Sequence, residues 1–214
     1  MLPTTADHAS DRATDHASDR AALDPQLLGE AETYAAALVR RGLDTPGQVA
    51  ELVSDYFYAD GATPVSPAAA REIVGRLWRE RLAEQETWPE ATDVGRLESA
   101  FAALGAAGVT ARAAFTCCMS CGTAEIGGEA AEGDHGYVFF HSQDADAAAA
   151  GHGLWLRYGV HGADADGSGT VAVGRAVVAA LAAAGLTGTW DGNPARAISI
   201  EALDWRKRLA PLAD

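Results

Sequence analysis

At Val109-Thr110-Ala111-Arg112-Ala113-Ala114-Phe115 the hydrophobic period of the chain changes. Upstream, apolar residues recur three and four apart; here they alternate. Val109, Ala111, Ala113 and Phe115 face one way and Thr110, Arg112 and Ala114 the other, which predicts a strand running directly into Cys117-Cys118-Met119-Ser120-Cys121-Gly122. The segment therefore separates a helical half from a sheet-bearing half.

Upstream of it, four helix starts are written in capping residues. Asp24-Pro25 is an N-cap with proline at the first helical position, and Gly42 is the matching stop. Thr45-Pro46-Gly47-Gln48 is a capping box. Its helix carries the stripe Val49, Leu52, Val53, Tyr56, Phe57. Ser66-Pro67 opens a third helix with Ile73, Val74, Leu77, Trp78 and Leu82, and a fourth runs from about Thr92 to Gly105 with Val94, Leu97, Phe101 and Leu104.

Downstream, Tyr137 to His141 predicts a second strand and Leu154 to Tyr158 a third. Val171 to Ala184 predicts a helix closed by Gly185, with Gly174 as an interruption. Leu186 to Trp190 and Ala197 to Ile200 predict a last strand pair, a hairpin through Asp191-Gly192-Asn193-Pro194. The expected fold is α+β: an N-terminal layer of about four helices, then a small sheet of about five strands with one long helix packed on it. The expected organisation is a disordered tail over residues 1–22, a helical part over 23–108 and an α/β part over 109–208, the last two forming one continuous domain.

The tail is set apart by a duplication. Ala6-Asp7-His8-Ala9-Ser10-Asp11-Arg12-Ala13 is followed by Thr14-Asp15-His16-Ala17-Ser18-Asp19-Arg20-Ala21. With no large apolar residue after Leu2, this segment lacks the surface to offset the entropy of ordering. His8 and His16 offer at most a weak metal site.

Charge and composition narrow the function classes. Sixteen Lys+Arg against 30 Asp+Glu give a formal charge of -14, a field that repels phosphate backbones. The basic run Arg206-Lys207-Arg208 is too short to reverse it, so no nucleic-acid partner is expected. No apolar stretch is long enough to span a bilayer, and the N-terminus has no apolar core of a secretory signal. Three cysteines packed at 117, 118 and 121 suit a reduced or metal-bound state better than disulfides, which points to the cytoplasm. A protein partner or a small molecule remains as the partner class.

Cys118-Met119-Ser120-Cys121-Gly122 is half of a zinc knuckle. Two thiolates at that spacing grip one tetrahedral ion, and the glycine lets the backbone turn beneath them. One zinc would need Cys117 and a fourth ligand from His135, His141, His152 or His161, or from Glu125, Asp134 or Asp144 instead. Three other uses of the same residues stay open. Cys118 could be a nucleophile with His141 as base, oriented by Asp144 or Gln143. A strand feeding a C-x-x-C at a helix start could make a thiol redox pair, although Gly127-Gly128 cuts the following helix short. Or the thiols could simply pack as small hydrophobes.

Two other loops carry weaker signals. Asp164-Ala165-Asp166-Gly167-Ser168-Gly169 begins like a calcium loop, but Arg175 stands at the twelfth position, where a bidentate glutamate is required. Gly167-Ser168-Gly169-Thr170 could offer amides to an anion, against the charge of Asp164 and Asp166. Trp155 and Trp190 read as core, and Trp205 as the residue that docks the C-terminal segment.

Phe115-Thr116-Cys117-Cys118-Met119-Ser120-Cys121-Gly122, Gly136-Tyr137-Val138-Phe139-Phe140-His141-Ser142-Gln143-Asp144, Trp190-Asp191-Gly192 and Leu203-Asp204-Trp205 together resemble the bacterial domain-of-unknown-function family 6891, found mostly in actinobacteria. The alanine- and arginine-rich composition suits such a high-GC source. The resemblance spans roughly residues 24 to 208 and leaves out the repeat. It implies no activity; it directs attention to His141, Gln143 and Asp144 beside the cysteines.

Overall fold

The computed structural model describes residues 23–212; the duplicated segment with His8 and His16 lies outside them. The chain divides into two compact units, one running to Thr87 and taking up the chain again from Arg208, the other Trp88–Lys207.

The first unit holds α1 (Pro25–Arg41), α2 (Pro46–Tyr56) and α3 (Pro67–Gln85). Each starts where its cap is written. The Asp24 carboxylate accepts from the amides of Gln26 and Leu27, Thr45 and Gln48 close a capping box, and Ser66 accepts from the Ala69 amide. Gly42 ends α1 in the left-handed region at φ 70°. Ala31, Ala35, Ala50, Ala69 and Ala70 are buried beside Leu38, Val49, Val53, Ile73 and Trp78, so small side chains let the helices close on a few large ones. Each large apolar side chain fully buried contributes about 1.5–3 kcal/mol. Leu209 belongs to the same core, and Trp78 Nε1 donates to the Ala210 carbonyl at 3.1 Å. The α2 stripe is wider than the face it buries: Tyr56 is 64% exposed and stacks on Tyr34 with ring centroids 4.2 Å apart.

The second unit runs α4 (Asp93–Ala106), β1 (Val109–Arg112), α5 (Met119–Glu125), a 3₁₀ turn (Ile126–Glu129), β2 (Gly136–Phe139), α6 (Ser142–Ala149), β3 (Leu154–Val160), α7 (Ser168–Ala183) and β4 (Ile198–Ile200). The sheet order is β1-β2-β3-β4. β1 and β2 are parallel with Val109 opposite Gly136, whereas β2–β3 and β3–β4 are antiparallel. A parallel pair needs a long crossover, and the cysteine segment is that crossover. α7 packs against β2 and β3, while α4 packs against β1 and α7, so the sheet carries more than the one long helix expected. Gly174 in the middle of α7 is a packing requirement: a Cβ there would lie 2.8 Å from the Trp190 ring and 2.9 Å from that of Tyr158.

The α+β class holds, but the sheet has four strands and not five, and seven α-helices stand among the described residues. Residues 186–190 form no strand; they make one antiparallel bridge, Thr189 to Ser199, before Trp190 swings its indole to the Asn193 carbonyl at 3.1 Å. β1 stops at Arg112 and does not reach Phe115, because Ala114 and Thr116 adopt positive φ of 49° and 58°. β2 stops at Phe139, and His141 caps a helix where a strand end was expected. Trp155 is 38% exposed, on the outward side of β3, and is not core. Trp205 is buried, edge-on to Phe140 at 6.2 Å, and does dock its segment. Among the described residues no helix is long and apolar enough to cross a membrane.

Candidate metal centre

The loop after β1 is built by its own exceptions. Phe115 N donates to the Phe140 carbonyl at 2.8 Å, so the chain still runs beside the end of β2. Left-handed Thr116 then turns it away, with its hydroxyl on the Cys118 carbonyl at 3.2 Å. Two non-glycine residues in this region, two positions apart, are costly and persist only where surroundings enforce them. The enforcement is visible: Ser142 N donates to the Thr116 carbonyl at 3.2 Å, and Ser142 Oγ to the Cys117 carbonyl at 3.3 Å. The two motifs that carry the family resemblance are thus fastened side by side through their backbones.

Cys118 is the N-cap of α5, and the helix presses Gly122 against β2. A Cβ on Gly122 would lie 2.4 Å from the Phe139 ring, which is itself fully buried, so no other residue fits here without displacement. This contact sets where Cys118 and Cys121 stand. The Sγ atoms of Cys117, Cys118 and Cys121 all lie within 4.8 Å of one another, and those of Cys117 and Cys121 are 3.7 Å apart. All three thiols are free; Cys117 is exposed and the other two half-exposed. A tetrahedral ion with metal–sulfur bonds of about 2.3 Å holds its sulfurs roughly 3.8 Å apart. The Cys117–Cys121 pair stands at that spacing, and the other sulfurs lie within 4.8 Å.

The thiols are not equivalent. Cys118 is held below the ordinary thiol value, first by the backbone amide of Cys121 and then by the Cys121 and Cys117 thiols, although its sulfur makes no capping hydrogen bond of regular geometry. Cys121 is pushed up to about 11, chiefly by its contacts with the Cys118 and then the Cys117 thiol. Crowded sulfurs share one proton among neighbours, so one ionises early and another late.

His141 stands apart from the three-sulfur set. It is buried and caps α6: Nδ1 accepts from the Asp144 amide at 3.1 Å, and Nε2 lies 3.1 Å from Asp144 Oδ2. Asp144, also buried, accepts in addition from the His141 amide at 3.2 Å and faces Arg157 Nη2 at 3.5 Å. Gln143 is exposed. The other candidate ligands have their own places. Thr110 Oγ1 donates to Asp134 Oδ2 at 2.6 Å and meets His161 Nε2 at 3.0 Å, a polar contact between β1 and the residues flanking β2 and β3. Among the described residues, the grouped ligand atoms belong to the three cysteines alone.

The acidic loop is committed elsewhere. Asp164 accepts from the amides of Gly169 and Thr170 at 3.0 and 2.8 Å and from the Thr170 hydroxyl at 2.6 Å. Asp166 takes the Ser168 amide and hydroxyl at 3.0 and 2.7 Å. These oxygens are spent on starting α7, and Asp164 occupies the place an external anion would need. In the basic run, Arg206 pairs with Asp204 at 2.9 Å and Lys207 with Glu98 at 2.6 Å.

A family model described as "Domain of unknown function (DUF6891)" matches residues 24–209. No curated protein and no solved structure matches the chain.

Proposed function

The chain belongs to this family of unknown function, and from that premise we propose that it is a cytoplasmic binding or accessory protein that holds one zinc ion on Cys117, Cys118 and Cys121. The single observation behind this is the mutual approach of three free sulfurs, within 4.8 Å of one another on a loop with enforced backbone. Cysteines that merely pack as small hydrophobes sit in the core, whereas Cys117 is exposed and Cys118 and Cys121 are partly so. Three protein ligands leave a fourth position for water or an incoming ligand, the arrangement of reactive and exchangeable zinc rather than of closed structural sites. Binding requires thiolates, and the lowered Cys118 thiol supplies the first. The alanine- and arginine-rich composition supports an actinobacterial source.

The test is elemental analysis of untagged protein. One zinc per chain is expected, and Cys118→Ser should weaken binding by at least about a hundredfold, since losing a ligand exceeds the 10–100-fold cost of losing an outer-shell partner. Zinc well below one per chain in the unaltered protein removes the reading.

A second reading, thiol redox chemistry, is favoured by the split between Cys118 and Cys121. In it the Cys118 thiolate attacks a substrate disulfide and expels one substrate thiolate. A second cysteine then loses its proton and displaces the other, which leaves an internal disulfide. Stoichiometric zinc together with no reaction with oxidised glutathione excludes it.

A further inference from the structure

On the other side of α5 from its cysteines is a recess of about 180 Å³, lined by Met119, Thr123, Tyr137, Arg157, Tyr158 and the segment 194–197. Its only charged lining residues are Arg157 and Arg196, in a chain of formal charge -14. The guanidinium of Arg157 is incompletely used. Its Nη2 meets Asp144 at a long 3.5 Å, while Nη1 is buried with no hydrogen-bond partner. Buried donors in folded proteins are almost always satisfied; the Arg157 side chain is 24% exposed and lines the recess, so its guanidinium has donor capacity left beside that space. The Asp144 contact is long and runs from Nη2 to Oδ1, while Oδ2 takes the His141 amide and lies 3.1 Å from the His141 ring.

The other walls are arranged to match. Arg196 is 71% exposed and pairs with Asp191 at 3.2 Å. The Tyr158 hydroxyl shares its proton between the Asn193 and Arg196 carbonyls, at 3.2 and 3.0 Å, which fixes the 193–196 segment as one rim. Burial raises the Tyr137 phenol above its ordinary value, so it stays a donor at neutral pH. Guanidinium groups recognise planar or tetrahedral oxyanions through paired N–H donors. The volume equals about six water shares of 30 Å³, enough for a phosphate or a short carboxylic acid and too little for a nucleotide.

We propose that this recess binds a small oxyanion, a phosphate- or carboxylate-bearing molecule, between Arg157 and Arg196. The site is independent of the thiols, so it is tested in metal-free Cys118→Ser protein, where an anion cannot be captured by bound zinc. Calorimetric titrations with inorganic phosphate and with succinate are the two arms. Saturable one-to-one binding of at least one probe is expected, weakened at least tenfold by Arg196→Ala and by Arg157→Lys. Tighter phosphate binding assigns a phosphoryl ligand, and tighter succinate binding a carboxylic acid. Arg196 is exposed, so its variant keeps the fold and the test stands even where Arg157→Lys does not. Failure of both probes to bind saturably, or binding that Arg196→Ala does not weaken tenfold, overturns the proposal.

Discussion

The start of α7 and the start of α5 solve the same local problem with opposite results. Both are turns that bring an acidic side chain to a helix N-terminus. At α7, Asp164 takes three donors and Asp166 two, so every carboxylate nearby is consumed by the protein itself. At α5, Cys118 caps without a regular capping bond, two neighbouring sulfurs crowd it, and none of the three is bonded covalently. A polar cluster whose bonding capacity is spent is part of the scaffold; one with capacity left over on an enforced backbone is where an outside ligand can enter.

Gly122→Ala is the most severe way to break this comparison. A methyl 2.4 Å from the Phe139 ring forces α5 off the sheet, so stability should fall by about 1–3 kcal/mol and the three-sulfur geometry with it. Thermal unfolding and cobalt or zinc titration of one preparation check both. Wild-type stability with intact metal binding would show that Gly122 does not set the cysteine positions.

A milder change sharpens the other side. Asp164→Asn removes the charge that α7's amides and the Thr170 hydroxyl hold, and should lower the melting temperature without touching zinc content. The pH dependence has a definite sign. The Asp164 carboxyl sits below its ordinary value, first because of the Thr170 hydroxyl and then the Thr170 amide. Its contribution is complete above the unfolded carboxyl value near about 3.9 and is lost as pH falls through the lower folded value. The gap in melting temperature between the wild type and Asp164→Asn should therefore close in acid. Added calcium should not widen it, because Arg175 stands at the twelfth position, where a chelating carboxylate is required.

The smallest effect is one of order. In metal-free protein, alkylation followed by peptide mapping should label Cys118 first, with a pH profile below that of an ordinary thiol. Cys121, pushed up to about 11, should be labelled last. Equal rates would erase the distinction between these sulfurs.

Much of this was legible in the chain. The helix starts at Asp24, Thr45, Ser66 and Thr92 were readable because a cap is a local event, one side chain answering amides two or three residues on. Strand lengths were not, because alternation through Phe115 carries no warning that Ala114 and Thr116 turn left-handed, the latter held by Ser142 some twenty-five positions away. The cysteine cluster was legible as chemistry, while the place of His141 was not. A histidine closing a strand pattern looks the same whether its ring faces a thiol or caps the next helix. Arg157 left no signal at all: in Leu154-Trp155-Leu156-Arg157-Tyr158 it reads as the wet face of a strand, and only the orphaned Nη1 marks it.

The placement of Leu209 bears on how the molecule is made. The core of the first unit is shared by helices that precede the second unit in the chain and a residue that follows it, with Trp78 waiting for the carbonyl of Ala210. Units usually fold in the order they are made. Here α1, α2 and α3 emerge early and remain without that final piece until all of Trp88–Lys207 has followed them. The second unit is contiguous and can settle first, so the helices made before it are completed after it, and in their half-built state they are what a chaperone or protease would meet in the interval.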